Sequence, residues 1–244
     1  MRPAAAGQRA GHVLPDPLPC TRRRFAAAAS QGYPVLMTVT TGWQGDASAR
    51  RYARTRFRTP RAAERDQKLV ARLLSRHVAG EIAFVLDAPC GTGRLRAALA
   101  RSAATYVGVD VSRAMLAAAG GGSRKAVADV TSLPFADDTF DVVVCCRLLH
   151  HLHGGAERTA LVRELVRVAR QFVIASFFDA ASWQAWRRRL GLAPGGRSRR
   201  AVPKRVMHDA FASAGARVVG FAHSFRFVSQ QVFLIAEKHD RVPR

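Results

Sequence analysis

VLDAPCGTGRL, Val85 to Leu95, decides the fold. An apolar run ends on Asp87, and the loop that follows has little side-chain bulk at Gly91 and Gly93. Glycine lets a backbone bend and approach a ligand closely, and the helix opening behind such a loop presents free N–H groups. In a doubly wound sheet this first strand–loop–helix unit lies where ligands bind, at the carboxyl ends of the strands. A dinucleotide fingerprint needs a third small residue, and Arg96 occupies that position. No GK[ST] follows, so the loop is not a phosphate-binding P-loop either. Asp87 would repel pyrophosphate but suits a cationic ligand. Taken alone, the turn also fits a plain tight connection.

Strand-like runs continue from this unit at Thr105–Val109, Lys125–Ala128, Phe140–Cys145 and Phe172–Ala175, after a first strand at Ile82–Leu86. Between them lie helical stretches at Gly93–Ala103, Arg113–Ala119, Gly155–Val168 and Ser182–Leu190. Alternation of this kind implies βαβ units and a parallel sheet with helices on both faces. Ahead of it, Thr59-Pro60 is a helix opening, and Val70, Leu73, Leu74 and Val78 recur at helical spacing. After a helix at Lys204–Ala214, the runs ARVVGFAHSF and RFVSQQVFLIAEK predict a terminal hairpin added to the sheet.

Two further carboxylates follow strands. Asp110 ends YVGVD, where it can accept both hydroxyls of a ribose or cap the next helix. Asp129, in VADV, stands at the end of the third strand and could accept from an exocyclic amino group.

The formal net charge is +22 over 244 residues, and it is unevenly placed. Residues 1–65 hold twelve Arg against three acids, and residues 187–205 hold seven Arg and Lys204 with no acid. Residues 81–146 carry six basic and seven acidic groups and are close to neutral. Basic flanks around a neutral middle point to an anionic partner, although 187–205 also fits a solvated face. Residues 1–45, rich in Ala, Pro, Gly and Arg, read as a disordered extension. Within it TRRRFAAAA resembles an export signal, but Gln31, Gly32 and Pro34 interrupt the apolar segment that export requires, and Met37 would begin a tidier protein. No run approaches the ~20 apolar residues of a membrane span. The four cysteines lack CxxC spacing, so neither a zinc knuckle nor a disulfide framework is indicated, no metal site is expected, and a reducing cytoplasm fits.

VLDAPCGTGRL, YVGVDVSRAML, VADVTSLPFADDTFDVVVCCRLLHHL and FVIASFF, in this order and spacing, resemble the class I S-adenosylmethionine-dependent methyltransferases. The similarity is greatest to their type 11 group, which includes the ubiquinone and menaquinone biosynthesis enzymes. It covers residues 80–178. It implies an α/β, doubly wound, mostly parallel seven-stranded sheet with a C-terminal antiparallel hairpin, the Rossmann-like methyltransferase fold. It also implies S-adenosyl-L-methionine as cofactor. Asp87, Ala88, Pro89, Cys90, Gly91 and Gly93 would then face its methionine moiety, Asp110 its ribose and Asp129 its adenine. Val111, Met115, Val130 and Arg147 complete the implied cofactor set. Pro89 departs from the pattern, standing where many members have the first glycine of the loop; it removes one N–H and stiffens the turn.

The domain organisation that follows is a basic extension (1–45), a helical segment (46–80) and a cofactor-binding domain (81–240) with a basic insertion at 187–205. The acceptor side is less defined. His150 and His151, after the fourth strand, are candidate general bases, and either could instead pack or cap the next helix. Phe177, Phe178 and Asp179, after the fifth strand, are candidates to line the acceptor pocket or to serve the core. The (D/N)PP(Y/F) motif of amine methylation is absent; CCRL stands in its place. A small-molecule or lipid-like, anionic acceptor is expected. The alternatives are RNA and a non-catalytic module that only binds the cofactor. The sequence leaves the oligomeric state open.

Overall fold

The computed structural model describes residues 60–120, 124–192, 200–223 and 228–239. The expectations for residues 1–59 and for 193–199, within the basic insertion, lie outside the described residues.

Helix α1 (Pro60–His77) begins on its proline and buries Leu69, Val70, Leu73 and Leu74. It packs on α2 (Arg96–Ser102) and on the two C-terminal strands. Then come β1 (Ile82–Asp87), α2, β2 (Ala103–Asp110), α3 (Arg113–Ala118), β3 (Arg124–Val127) and β4 (Phe140–Cys145). A 3₁₀ turn at Leu149–His151 leads to α4 (Gly155–Val168), β5 (Ala169–Phe178), α5 (Trp183–Arg189), α6 (Lys204–Ser213), β6 (Ala216–His223) and β7 (Gln231–Lys238).

The seven strands form one sheet in the order β3-β2-β1-β4-β5-β7-β6. β1 pairs in parallel with both β2 and β4, so Asp87 lies beside Gly108 on one side and Val144 on the other. This is the switch point, where the chain has wound outward through β2 and β3 and returns to wind the other way. β7 runs antiparallel to β5 and to β6, as the expected hairpin requires. The carboxyl ends of β1, β2, β4, β5 and β6 therefore share one edge.

Strand side chains alternate between faces, and the core divides accordingly. Val142, Val144 and Ile174 pack with α1 and α2, while Val143, Cys145 and Val173 pack with α4 and α6. Burial on both faces explains the near-continuous apolar strand sequences.

Of the boundaries that differ from expectation, two bear on the site. α2 starts at Arg96 rather than Gly93, because Gly91 and Gly93 adopt φ of 54° and 78°, outside the helical region. β5 continues through Phe178, because β7 pairs with it from Phe172 to Phe178. Phe177 is therefore a fully buried core residue and lines no acceptor pocket.

Candidate functional site

At the switch point the loop after β1 folds back over the sheet. The Ala88 N–H donates to the Val144 carbonyl and the Cys90 N–H to the Val109 carbonyl, at 2.9 and 2.8 Å. The loop is thus tied to the strands on both sides. The Ala88–Pro89 peptide is cis. A Cβ added at Gly91 would meet nothing within 4 Å, whereas one at Gly93 would touch Ala119 at 3.4 Å. Gly91 therefore borders open space, and Gly93 is needed for its positive φ of 78°.

Asp110 is held by the loop itself. Its two carboxylate oxygens accept the N–H groups of Gly91 and Ser112, each at 2.9 Å. Ser112, not Asp110, caps α3 by accepting from the Met115 N–H, so the capping alternative for Asp110 falls away. Burial raises the Asp110 pKa, opposed by the two backbone donors.

Asp87 is buried and takes one hydrogen bond, from the Tyr106 hydroxyl to Oδ2 at 3.0 Å. Its Oδ1 is buried with no partner. Desolvation pushes its pKa up to about 7; the Tyr106 bond opposes this, Asp110 adds to it and Arg94 opposes it. A carboxylate with an unsatisfied buried oxygen is an acceptor waiting for a donor, and a cationic donor would restore its charge.

Asp129 lies half-buried at the end of β3, and its Oδ1 accepts both the N–H and the hydroxyl of Thr131, at 2.8 Å each. Val111 is half-buried and Met115 buried beside Asp110. Val130 belongs to the core on the α4 face. Asp87, Asp110 and the glycine loop are brought together at adjacent strand ends, with Asp129 one strand further out.

Arg147 takes part in an ion network. It holds a φ of 64°, uncommon for a residue with a side chain, and its N–H donates to the Ser176 hydroxyl at 2.7 Å. Its guanidinium turns to Asp66 of α1, with Nε and NH2 both 3.1 Å from Oδ2. Arg94, at the end of the glycine loop, reaches the same oxygen at 2.7 Å. Gln67 adds a hydrogen bond to the Arg94 carbonyl at 2.7 Å. One buried carboxylate thus links α1 to the two loops that flank the switch point. No local pattern signals this network, because Asp66 and its partners are 28 and 81 residues apart.

On the acceptor side, His150 is buried and stacks on Phe178, ring centroids 4.0 Å apart and nearly parallel. Burial, then His151 and Arg147, push its pKa down to about 3. His150 is therefore a neutral and weakly basic imidazole at neutral pH. His151 lies 4.3 Å away, partly exposed. Asp179 follows β5 and lines a cleft of about 380 Å³ with Ser182, Pro203, Lys204 and His223. This cleft lies at the same sheet edge as the glycine loop, beyond β5. Lys204 Nζ stands 3.7 Å from the Asp179 carboxylate and 3.3 Å from His223 Nε2.

The sheet order and the carboxylate-bearing glycine loop define a class I, Rossmann-like methyltransferase fold. Residues 86–174 match the family described as "Methyltransferase domain", type 11. The chain is similar to the demethylmenaquinone methyltransferase of Mycobacterium marinum, 38% identical over 104 residues, which are 40% of this chain and 43% of that protein. The corresponding enzyme of Thermobifida fusca is 35% identical over 102 residues, 38% of this chain and 43% of its own length. The chain spans about two fifths of the length of these curated relatives. Among solved structures, magnesium protoporphyrin IX methyltransferase from Synechocystis with bound S-adenosylhomocysteine superposes with a TM-score of 0.60 at 21% identity, over 73% of this chain and 85% of that one. The [4+2]-cyclase SpnF superposes at 0.54 and 17% identity, over 70% and 81%. Both share the fold, which a cyclase can evidently use as well.

Proposed function

We propose that this protein binds S-adenosyl-L-methionine in the cradle formed by Asp87–Gly93, Asp110 and Asp129, and transfers its methyl group to a small-molecule or lipid-like, anionic acceptor. The observation that carries the assignment is the buried, unpartnered Oδ1 of Asp87 beside the open loop at Gly91. It fits the ammonium of an amino-acid moiety, and Asp110, fixed by two backbone donors, fits a pair of ribose hydroxyls. The match of residues 86–174 to a methyltransferase domain supports the same reading.

When bound, the cofactor supplies an already activated methyl group, so the protein's task is mainly alignment. Asp87 and the loop backbone hold the amino-acid end, and Asp110 sets the sugar. His151, which follows β4, is the candidate general base for the acceptor. His150, neutral and stacked on Phe178, shapes the pocket wall rather than taking a proton. Substituting His150 by Phe should leave kcat within about threefold, whereas His151→Ala should lower it tenfold or more if the acceptor must lose a proton. Steady-state rates across pH 6–9 separate the two. Because the His150 pKa lies near 3, its titration should leave no inflection in that range.

Asp110→Ala should weaken binding of S-adenosylhomocysteine by about 1–3 kcal/mol, roughly 5- to 150-fold, by removing the partner of two buried hydroxyls. Calorimetry on the folded variant reads this directly, and unchanged affinity refutes the ribose assignment. Cys90, Cys145 and Cys146 are free thiols, which suits a reducing cytoplasm.

The acceptor class is tested by tritiated-methyl transfer into cell extract separated into lipid, small-molecule, protein and RNA fractions. Label in the lipid or small-molecule fraction is expected. Label confined to RNA would replace the acceptor assignment, and cofactor binding without label anywhere would support a binding module instead.

A further inference from the structure

Helix α5 and the residues after it expose four large apolar side chains. Trp183, Trp186, Leu190 and Leu192 are 52%, 48%, 53% and 58% accessible, all above the burial of an ordinary core residue and all within ten positions. Trp183, Trp186 and Leu190 recur at i, i+3 and i+7, so they form one stripe, while Ala185 and Ser182 face inward. The two indoles stack on each other at 4.7 Å, which stiffens the stripe. Arg187, Arg188 and Arg189 form the last turn of the same helix. Arg187 also donates to the Leu192 carbonyl at 3.1 Å, folding the apolar end against the helix. Arg200, Lys204 and Arg205 are described nearby in the chain, and no Asp or Glu occurs between Asp179 and Asp209.

We infer that this element docks the protein on an anionic lipid surface, with Trp183, Trp186, Leu190 and Leu192 entering the headgroup boundary and the arginines meeting lipid phosphates. A short amphipathic helix with aromatic and leucine residues on one side and Arg187 and Arg189 flanking them has the composition of an interfacial anchor, and it lies in the plane of the membrane rather than crossing it. No helix among the described residues is long and apolar enough to cross a membrane. A single-stranded nucleic acid fits the surface less well. Stacking platforms offer open aromatic faces to bases, whereas these indoles stack on each other and the two leucines offer a base neither charge nor a π-face.

The position adds to the argument. Ser182, the N-cap of α5, and Asp179 line the cleft beyond β5. An acceptor held in the surface would thus lie next to the mouth of that cleft. Docking goes beyond methyl transfer and is measured without it.

The test is sedimentation of the full chain with vesicles of phosphatidylcholine alone, and of phosphatidylcholine with 30% phosphatidylglycerol (the composition being that of the probe, at about 50 mM salt). Binding to the anionic vesicles and a blue shift of tryptophan emission are expected, with at least tenfold weaker binding to neutral vesicles. Trp183→Ala/Trp186→Ala should lower anionic-vesicle binding at least tenfold, and Arg187→Gln/Arg189→Gln should lower it by a similar factor at low salt, with S-adenosylhomocysteine affinity unchanged in both. No binding to anionic vesicles overturns the inference. So does wild-type binding by the tryptophan variant, since attraction would then come from the basic residues elsewhere in the chain. Binding to a 20-nucleotide RNA that depends on Trp183 and Trp186, with none to vesicles, also overturns it and assigns the surface to nucleic acid. Loss of methyl transfer with docking intact would count against the proposed function and leave this inference standing.

Discussion

Asp87→Asn should make the unliganded protein more stable at pH 8 while weakening its grip on S-adenosylmethionine about a hundredfold. The two effects have one cause. Burial raises the folded pKa of Asp87 to about 7 from the ordinary 3.8. The stability this group contributes is therefore complete below pH 3.8, declines as pH rises, and is lost above pH 7. At pH 8 the wild-type protein carries a buried charge with one oxygen unpartnered, and Asn removes the charge while keeping an acceptor for the Tyr106 hydroxyl. Each pKa unit corresponds to about 1.4 kcal/mol, so a gain of about 2–4 kcal/mol at pH 8 is expected, fading toward pH 4. For a domain of this size that is roughly 4–16 °C in Tm. The same charge is what a cationic ligand pairs with, so its loss appears in affinity. The wild-type protein should accordingly bind the cofactor about tenfold more weakly for each pH unit below 7, because protonated Asp87 must first lose its proton. Thermal scans at pH 5 and 8, with titrations between pH 5.5 and 7, check both signs. A variant less stable than wild type at pH 8 with unaltered affinity would show that Asp87 serves the fold and not the ligand.

Asp66→Ala carries the next largest effect. Asp66 is buried and receives the guanidinium groups of Arg94 and Arg147, and truncation leaves both half-buried cations unpaired. Removing one member of a buried ion network costs about 3–5 kcal/mol, roughly 6–20 °C in Tm for a domain of this size. Asp66→Asn retains an acceptor and should lose about half as much. Because Arg94 ends the glycine loop and Arg147 follows β4, cofactor affinity should fall with stability, about tenfold in Asp66→Ala. Measured together, a large loss of Tm with unchanged affinity would mean that α1 braces the sheet without positioning the site.

The sheet and its motif loops were legible because their signals are local. Alternating apolar runs and helices, a glycine pair after a strand, and carboxylates at successive strand ends follow from short stretches of chain. The stretch from Asp129 to Asp141, the most distinctive of the motifs, proves to be largely structural. The Leu133 N–H donates to Glu164 at 2.6 Å, and Arg167 of α4 binds the Leu133 and Phe135 carbonyls and Asp137. Asp141 accepts the N–H groups of Ala83 and Phe84. The motif fixes a loop against α4 and a strand against β1, which is why it marks the fold so well.

What the sequence concealed is long-range. Tyr106 on Asp87, Asp66 beneath two loops, and His150 stacked on Phe178 each join residues that no local pattern links. Of the two roles open to Phe177, pocket lining or core, the core one holds for a related reason: the antiparallel β7 extends β5 by three residues beyond the parallel pairing with β4, and Phe177 enters the core. Pro89 sits in a loop tied to both neighbouring strands through Ala88 and Cys90, so its missing N–H leaves neither of those ties unmade.

The central claim is that the loop after β1 and the carboxylate after β2 hold an adenosine-bearing, cationic cofactor. Calorimetric titration of the wild-type protein and Asp110→Ala with S-adenosylmethionine at pH 7.5 tests it most directly. Saturable one-to-one binding by the wild type, and at least fivefold weaker binding by a folded variant, are the predicted results. A folded wild-type protein that gives no binding heat at 10 °C or at 30 °C would contradict the account.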